Sequence, residues 1–135
     1  MSINITKTMT EEFWGYHLML DCGQLKCPQE KMNDIEYLNE FVVEVLRVSD
    51  MRAWGAPQFA RLTSDDGDFP DSLSGYTIVQ LLHTSNMTVH LCDKIGTMYF
   101  DLFSCKRYDQ DKVIEVVQQF FEPTSIRVTF ATRQA

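Results

Sequence analysis

The chain has 135 residues, 44% of them hydrophobic and 12% aromatic, which is apolar matter enough for one domain with its own core and argues against disorder. The formal net charge is -7 with no basic stripe, so nucleic acid is not an expected partner, and the acidic body favours a small cationic substrate. No apolar run approaches a membrane span, and residues 1–12 are polar and lack the apolar segment of a signal peptide, so no membrane partner and a cytoplasmic location are expected.

The four cysteines, Cys22, Cys27, Cys92 and Cys105, form no CxxC pair, and the three histidines are scattered. No metal is therefore expected, and Cys22, Cys27 and Cys92 read as small buried or half-buried thiols. There is no internal repeat or linker, so residues 1–135 are expected to form a single domain.

In chain order, residues 14–22 read as a first strand. A helical stretch opens at Pro28, with Ile35, Leu38, Phe41, Val42, Val45 and Leu46 on one apolar face and Glu36, Glu40 and Glu44 opposite. It is expected to end near residues 48–50. Residues 57–63 form a second strand. Residues 64–71, rich in acids and turn formers, read as an exposed loop; the sharper alternative is a lid whose Phe69 contacts substrate. Residues 75–83 and 87–92 are two strands around a turn at Thr84-Ser85-Asn86. Gly96 turns the chain into a strand over 97–104. Asp109 or Asp111 caps a second helix with Val113, Ile114, Val117, Phe120 and Phe121 on its apolar face. Pro123 stops it, and residues 125–132 form a last strand.

This order predicts an α+β fold: a two-layer sandwich with one mostly antiparallel sheet of about six strands and two helices on one face. The other face of the sheet is left uncovered. Alternation sends Met87, Val89, Leu91, Met98, Phe100 and Leu102 toward the helices. Thr88, His90, Cys92, Tyr99, Asp101, Phe103 and Cys105 then point to the uncovered side. His90 and Cys105 are thus expected to share a half-polar, half-aromatic face beside a subunit interface. The strand over 75–83 is too apolar on both sides to assign.

Three motifs keep their spacing without gaps: Gly75-Tyr76-Thr77, Ser85-Asn86-Met87-Thr88-Val89-His90 and Asp101-Leu102-Phe103-Ser104-Cys105. Together with Gly15-Tyr16-His17-Leu18, they make the chain resemble the small prokaryotic form of S-adenosylmethionine decarboxylase. Taken singly, a serine in a turn, a histidine in a strand and a buried cysteine are more often structural; the joint spacing carries the resemblance. It implies a precursor that cuts itself between Thr84 and Ser85 and converts Ser85 into a pyruvoyl cofactor. A decarboxylase needs an electron sink that no ordinary side chain supplies. By the same resemblance Ser85 is the nucleophile, Thr84 supplies the attacked carbonyl, and His90 is the base of the elimination. Thr77 donates to the oxyanion, and Cys105 returns a proton to the product's α-carbon. His17 and His83 are left structural. The resemblance also implies a homodimer with facing sheets, as the uncovered face does independently.

Three positions depart from the family pattern. Thr84 and Asn86 stand where the family has Glu and His, and Lys94 stands where it has a glutamate that binds the substrate ribose. A lysine cannot accept hydroxyl protons as a carboxylate does. Three functions therefore stay open: a self-processing decarboxylase of S-adenosylmethionine in polyamine synthesis, a pyruvoyl decarboxylase of ornithine or arginine, and an unprocessed, non-catalytic regulatory or structural subunit.

Overall fold

Period-two alternation in the central strands decides which side of the sheet is dry. The computed structural model describes residues 14–134, so the reading of residues 1–12 lies outside the described residues. The elements run β1 (Gly15–Leu25), α1 (Gln29–Met32), α2 (Ile35–Ser49), β2 (Gln58–Leu62), β3 (Gly75–Leu82), β4 (Ser85–Cys92), β5 (Thr97–Ser104), α3 (Gln110–Phe121) and β6 (Pro123–Arg133). The six strands form one sheet in the order β2-β3-β4-β5-β1-β6, and every neighbouring pair is antiparallel.

The expected α+β architecture is the observed one, with a short third helix added. Asp34 accepts hydrogen bonds from the backbone N–H groups of Glu36 and Tyr37, which starts α2 afresh and splits the helical stretch after Pro28 into α1 and α2. Asp50, in the left-handed conformation, ends α2. Asp109, not Asp111, caps α3, and Pro123 opens β6 directly behind it. Ile35, expected on the apolar face of α2, is exposed, whereas Val116 joins Val113, Val117 and Phe121 in the buried face of α3.

Phe41 of α2, Phe100 of β5 and Phe121 of α3 meet at the centre, with Phe41 packed edge-to-face on both partners. Leu18, Leu20, Ile78, Met87, Val89, Leu91, Met98 and Leu102 complete the dry layer between helices and sheet. Each such side chain contributes about 1.5–3 kcal/mol of burial. β3 resolves in register with this layer: Ile78 and Leu82 are buried, and so is Gln80, whose amide donates to the carbonyls of Gly55 and Leu81.

Two local expectations change. The turn is not Thr84-Ser85-Asn86: Leu82 pairs with Ser85, so the hairpin turns on His83 and Thr84, and Ser85 is the first residue of β4. Cys92, which alternation sends to the open face, is fully buried, in keeping with its reading as a small buried thiol. The 3-10 turn Asp71–Leu73 packs at that end of β4, and the Leu73 carbonyl is held by His90. Among the described residues, no helix is long and apolar enough to cross a membrane, and no group of three or more His, Cys, Asp or Glu could hold a metal ion.

Candidate active site

The hairpin between β3 and β4 carries the first half of the site. Thr84 has a φ of 57°, a conformation unfavourable for a β-branched residue, so strain sits at the residue just before Ser85. Neighbouring segments brace this turn from both sides. On the β3 side, the Trp54 N–H donates to the Leu81 carbonyl, the His83 N–H donates to the Arg52 carbonyl, and the Trp54 and His83 rings meet edge-on. On the β5 side, the Cys105 N–H donates to the Thr84 carbonyl at 3.2 Å. Lys106 Nζ reaches both the carbonyl and the carboxylate of Asp50, at 2.6 and 2.7 Å. That contact holds the Asp50 carboxyl below the usual carboxylate range, chiefly through the hydrogen bond from Lys106 and then through its charge.

Ser85 Oγ lies 2.6 Å from Ser104 Oγ and 3.1 Å from the His83 carbonyl oxygen. Register explains the first contact, because Ser85 and Ser104 stand directly opposite each other. Their parity with Met87 and Leu102 puts both hydroxyls on the helix-covered side of the sheet. Cys105 follows Ser104, and its side chain is exposed. It lines an open cavity of about 430 Å³ together with Trp14, Gly15, Phe103, Arg133 and Gln134. Arg133 lies over the Phe103 ring, 5.1 Å from its centroid.

The second half lies further along β4. Thr77 and His90 are register partners, with Thr77 Oγ1 2.8 Å from His90 Nδ1. His90 Nε2 is 2.9 Å from the Leu73 carbonyl oxygen. A carbonyl can only accept, so Nε2 carries a proton there. In the neutral ring Nδ1 is then the basic nitrogen and receives the Thr77 hydroxyl proton. Lys94 Nζ lies 2.5 Å from Asp71 Oδ2 and ties the loop carrying Leu73 to the end of β4. Phe69 belongs to the same loop and is half-buried, with its ring close over Gly67; it does not line the cavity beside Cys105.

The four residues expected to act together are therefore divided within one chain. Ser85 and Cys105 both lie at the hairpin end; Thr77 and His90 sit five residues away, about 17 Å along the strand at the usual rise of about 3.3 Å per residue. His90 and Cys105 do lie on the same side of the sheet, but Ser85 Oγ lies on the other. Thr77, expected to donate to the oxyanion, lies at His90, and the Thr84 carbonyl accepts from the Cys105 backbone N–H.

Sequence reasoning missed Ser104, although its parity opposite Cys105 was readable. It also missed the Leu73 carbonyl, for which there is no side-chain signal. Burial pushes the Cys22 thiol up to about 12 and raises that of Cys27, which keeps both protonated and unreactive, as expected for structural thiols.

The family model described as S-adenosylmethionine decarboxylase matches residues 16–134. No curated protein matches the chain in sequence. Among solved structures, the adenosylmethionine decarboxylase from Aquifex aeolicus VF5 is similar, with a TM-score of 0.71 at 14% identity, covering 92% of this chain and 93% of that one. At that identity the likeness speaks for the fold.

Proposed function

Because the chain belongs to the S-adenosylmethionine decarboxylase family, we propose that it is a precursor that cuts itself between Thr84 and Ser85 and then acts as a pyruvoyl-dependent decarboxylase of S-adenosylmethionine in polyamine synthesis. The observation that carries this reading is the hairpin. Thr84 is strained, its carbonyl already accepts a backbone N–H, and the Ser85 hydroxyl is held in place beside it. An N–H aimed at a carbonyl is worth most once negative charge develops on that oxygen.

The residues divide the work as follows. Ser85 Oγ bonds to the Thr84 carbonyl carbon as the C–N bond breaks, and the hydroxyl proton ends on the freed amine. Removal of the Ser85 α-proton then breaks the Cβ–Oγ bond. A carboxylate is left on Thr84 and an unsaturated residue at 85, which water converts to the pyruvoyl group with loss of ammonia. When formed, that group supplies the electron sink for decarboxylation. His90, through Nδ1 and relayed by Thr77, is the base for the α-proton. Cys105, exposed in the adjoining cavity, delivers a proton to the product's α-carbon.

A base about 17 Å along the strand cannot serve the Ser85 of its own chain. The reading therefore includes a homodimer packed through the uncovered sheet face, in which Thr77 and His90 of one protomer serve the hairpin of the other. That face carries exposed Tyr99 and the cavity beside Cys105, and a two-fold contact is the commonest way to cover such a surface.

A second reading keeps the chemistry and changes the substrate. Lys94, which stands at the family's ribose-binding position, is bound to Asp71, and this favours a different cationic amino acid such as ornithine or arginine. Two measurements test these readings. Intact mass after incubation is expected to give fragments 1–84 and 85–135, with Ser85→Ala remaining whole; an uncut wild-type chain would overturn both readings in favour of a non-catalytic subunit. Release of labelled carbon dioxide from S-adenosylmethionine, ornithine or arginine then separates the two substrates.

A further inference from the structure

We infer that Ser104 is the positioning residue of self-cleavage: it holds the Ser85 hydroxyl with its proton turned away from the Thr84 carbonyl. The inference rests on the self-cleavage proposed above. The two oxygens lie 2.6 Å apart, at the short end of O–H···O contacts. Ser104 is fully buried, with 0% of its surface exposed. Its own oxygen is fixed by the Lys106 backbone N–H, which donates to it at 2.9 Å. Lys106 is in turn anchored on Asp50 at the end of α2. The Ser85 hydroxyl therefore rests on a partner that is not free to move.

Position argues that this pair is more than filling. On the covered side β5 presents Met98, Phe100, Leu102 and then Ser104, while β4 presents Leu91, Val89, Met87 and then Ser85. Everywhere else along this pair of strands the dry layer is apolar. A buried hydroxyl costs more than an alkyl group of its size unless it is hydrogen-bonded, so packing alone favours an apolar residue at 104.

The chemistry explains the choice. Attack needs a lone pair of Ser85 Oγ facing the Thr84 carbon and the hydroxyl proton facing elsewhere. The single Ser85 hydroxyl proton goes to one of two acceptors, Ser104 Oγ at 2.6 Å or the His83 carbonyl at 3.1 Å, and either direction leads off that path. As the new C–O bond forms and the C–N bond breaks, the proton passes to the Ser85 nitrogen and Ser104 is left unchanged.

The experiment follows cleavage of the full-length precursor on denaturing gels, with and without hydroxylamine, which cuts an ester but not an amide. Ser104→Ala is expected to slow cleavage about 10- to 100-fold, the scale of a misplaced reacting group. Ser104→Thr, which keeps the hydroxyl, stays within about twofold of wild type. Ser104→Cys fills nearly the same space with a weak acceptor and is expected to be slow, so the loss is assigned to the oxygen even if the alanine variant folds poorly. Hydroxylamine should not restore speed to the slow variants, because their ester forms slowly. Wild-type rates in Ser104→Ala or Ser104→Cys would overturn the inference while leaving self-cleavage intact. Full rescue by hydroxylamine would also overturn it, since the acyl shift would then be unaffected. An uncleaved wild-type chain would remove the inference together with the reading beneath it.

Discussion

The two ends of β4 are built on opposite terms. At the Ser85 end the chain holds strain: a β-branched residue at positive φ, with braces from residues 52–54 and 104–106 that keep the turn from relaxing. At the His90 end the site side chains are held by hydrogen bonds instead of by a strained backbone. Both ring nitrogens of His90 have partners. Nearby, Asp93 is buried and takes hydrogen bonds from Gln29 at 3.0 Å and Asn33 at 2.8 Å, with Arg61 at 3.6 Å. Gly75 passes so close to β4 that a Cβ there would lie 1.8 Å from the Leu91 carbonyl oxygen. The strained residue before Ser85 and the fixed imidazole thus lie at opposite ends of one strand, five residues apart.

Substitutions can place the two ends of β4 on different protomers. Ser85→Ala and His90→Ala are each expected to abolish turnover alone. Co-expressed, they should restore about a quarter of wild-type sites, because half of randomly paired dimers are mixed and each mixed dimer has one intact site. No recovery in verified mixed dimers would mean that both ends act within one chain.

The His90 end is probed through pH. Burial pushes the Asp93 carboxyl up, but the hydrogen bonds from Asn33 and Gln29 and the charge of Arg61 outweigh it and hold the group below the usual range. A folded-state value below the unfolded one, about 3.9 for aspartate, means that the stabilisation is present above about pH 4 and is lost as pH falls toward the folded value. Asp93→Asn should therefore cost about 1–3 kcal/mol at neutral pH, as measured by denaturant unfolding. The gap to wild type should narrow below about pH 4; a constant gap would remove Asp93 as the titrating group.

The smallest effect sharpens the strained end. Thr84→Gly relieves the positive φ. In the uncleavable Ser85→Ala background it should raise stability by about 1 kcal/mol. In the otherwise wild-type chain it should slow cleavage by about fivefold, the same energy expressed as a rate. Faster cleavage in the glycine variant would show that the strain plays no part.

Much of the fold was legible from alternation and helical spacing. Met87, Val89 and Leu91 against Met98, Phe100 and Leu102 set the covered face without knowledge of the partner strands. The turn is expected at residues 84–86 and lies at 83–84, so β4 begins at Ser85 and not at Met87. Ser85 shares the parity of Met87, which places its hydroxyl opposite Ser104 and on the other side of the sheet from His90. Along an extended strand five residues are a long way, and at a cross-strand pair nineteen are nearly none.

The sequence by itself determined the six strands, the two main helices, the buried layer between them and the family motifs, because periodicity and short motifs are local properties of the chain. Tertiary structure alone decided which groups meet. Register set Ser104 against Ser85 and Thr77 against His90, and the return of residues 71–74 over β4 gave His90 its carbonyl. Those contacts depend on how separate strands align, and alignment is settled by packing across the whole sheet.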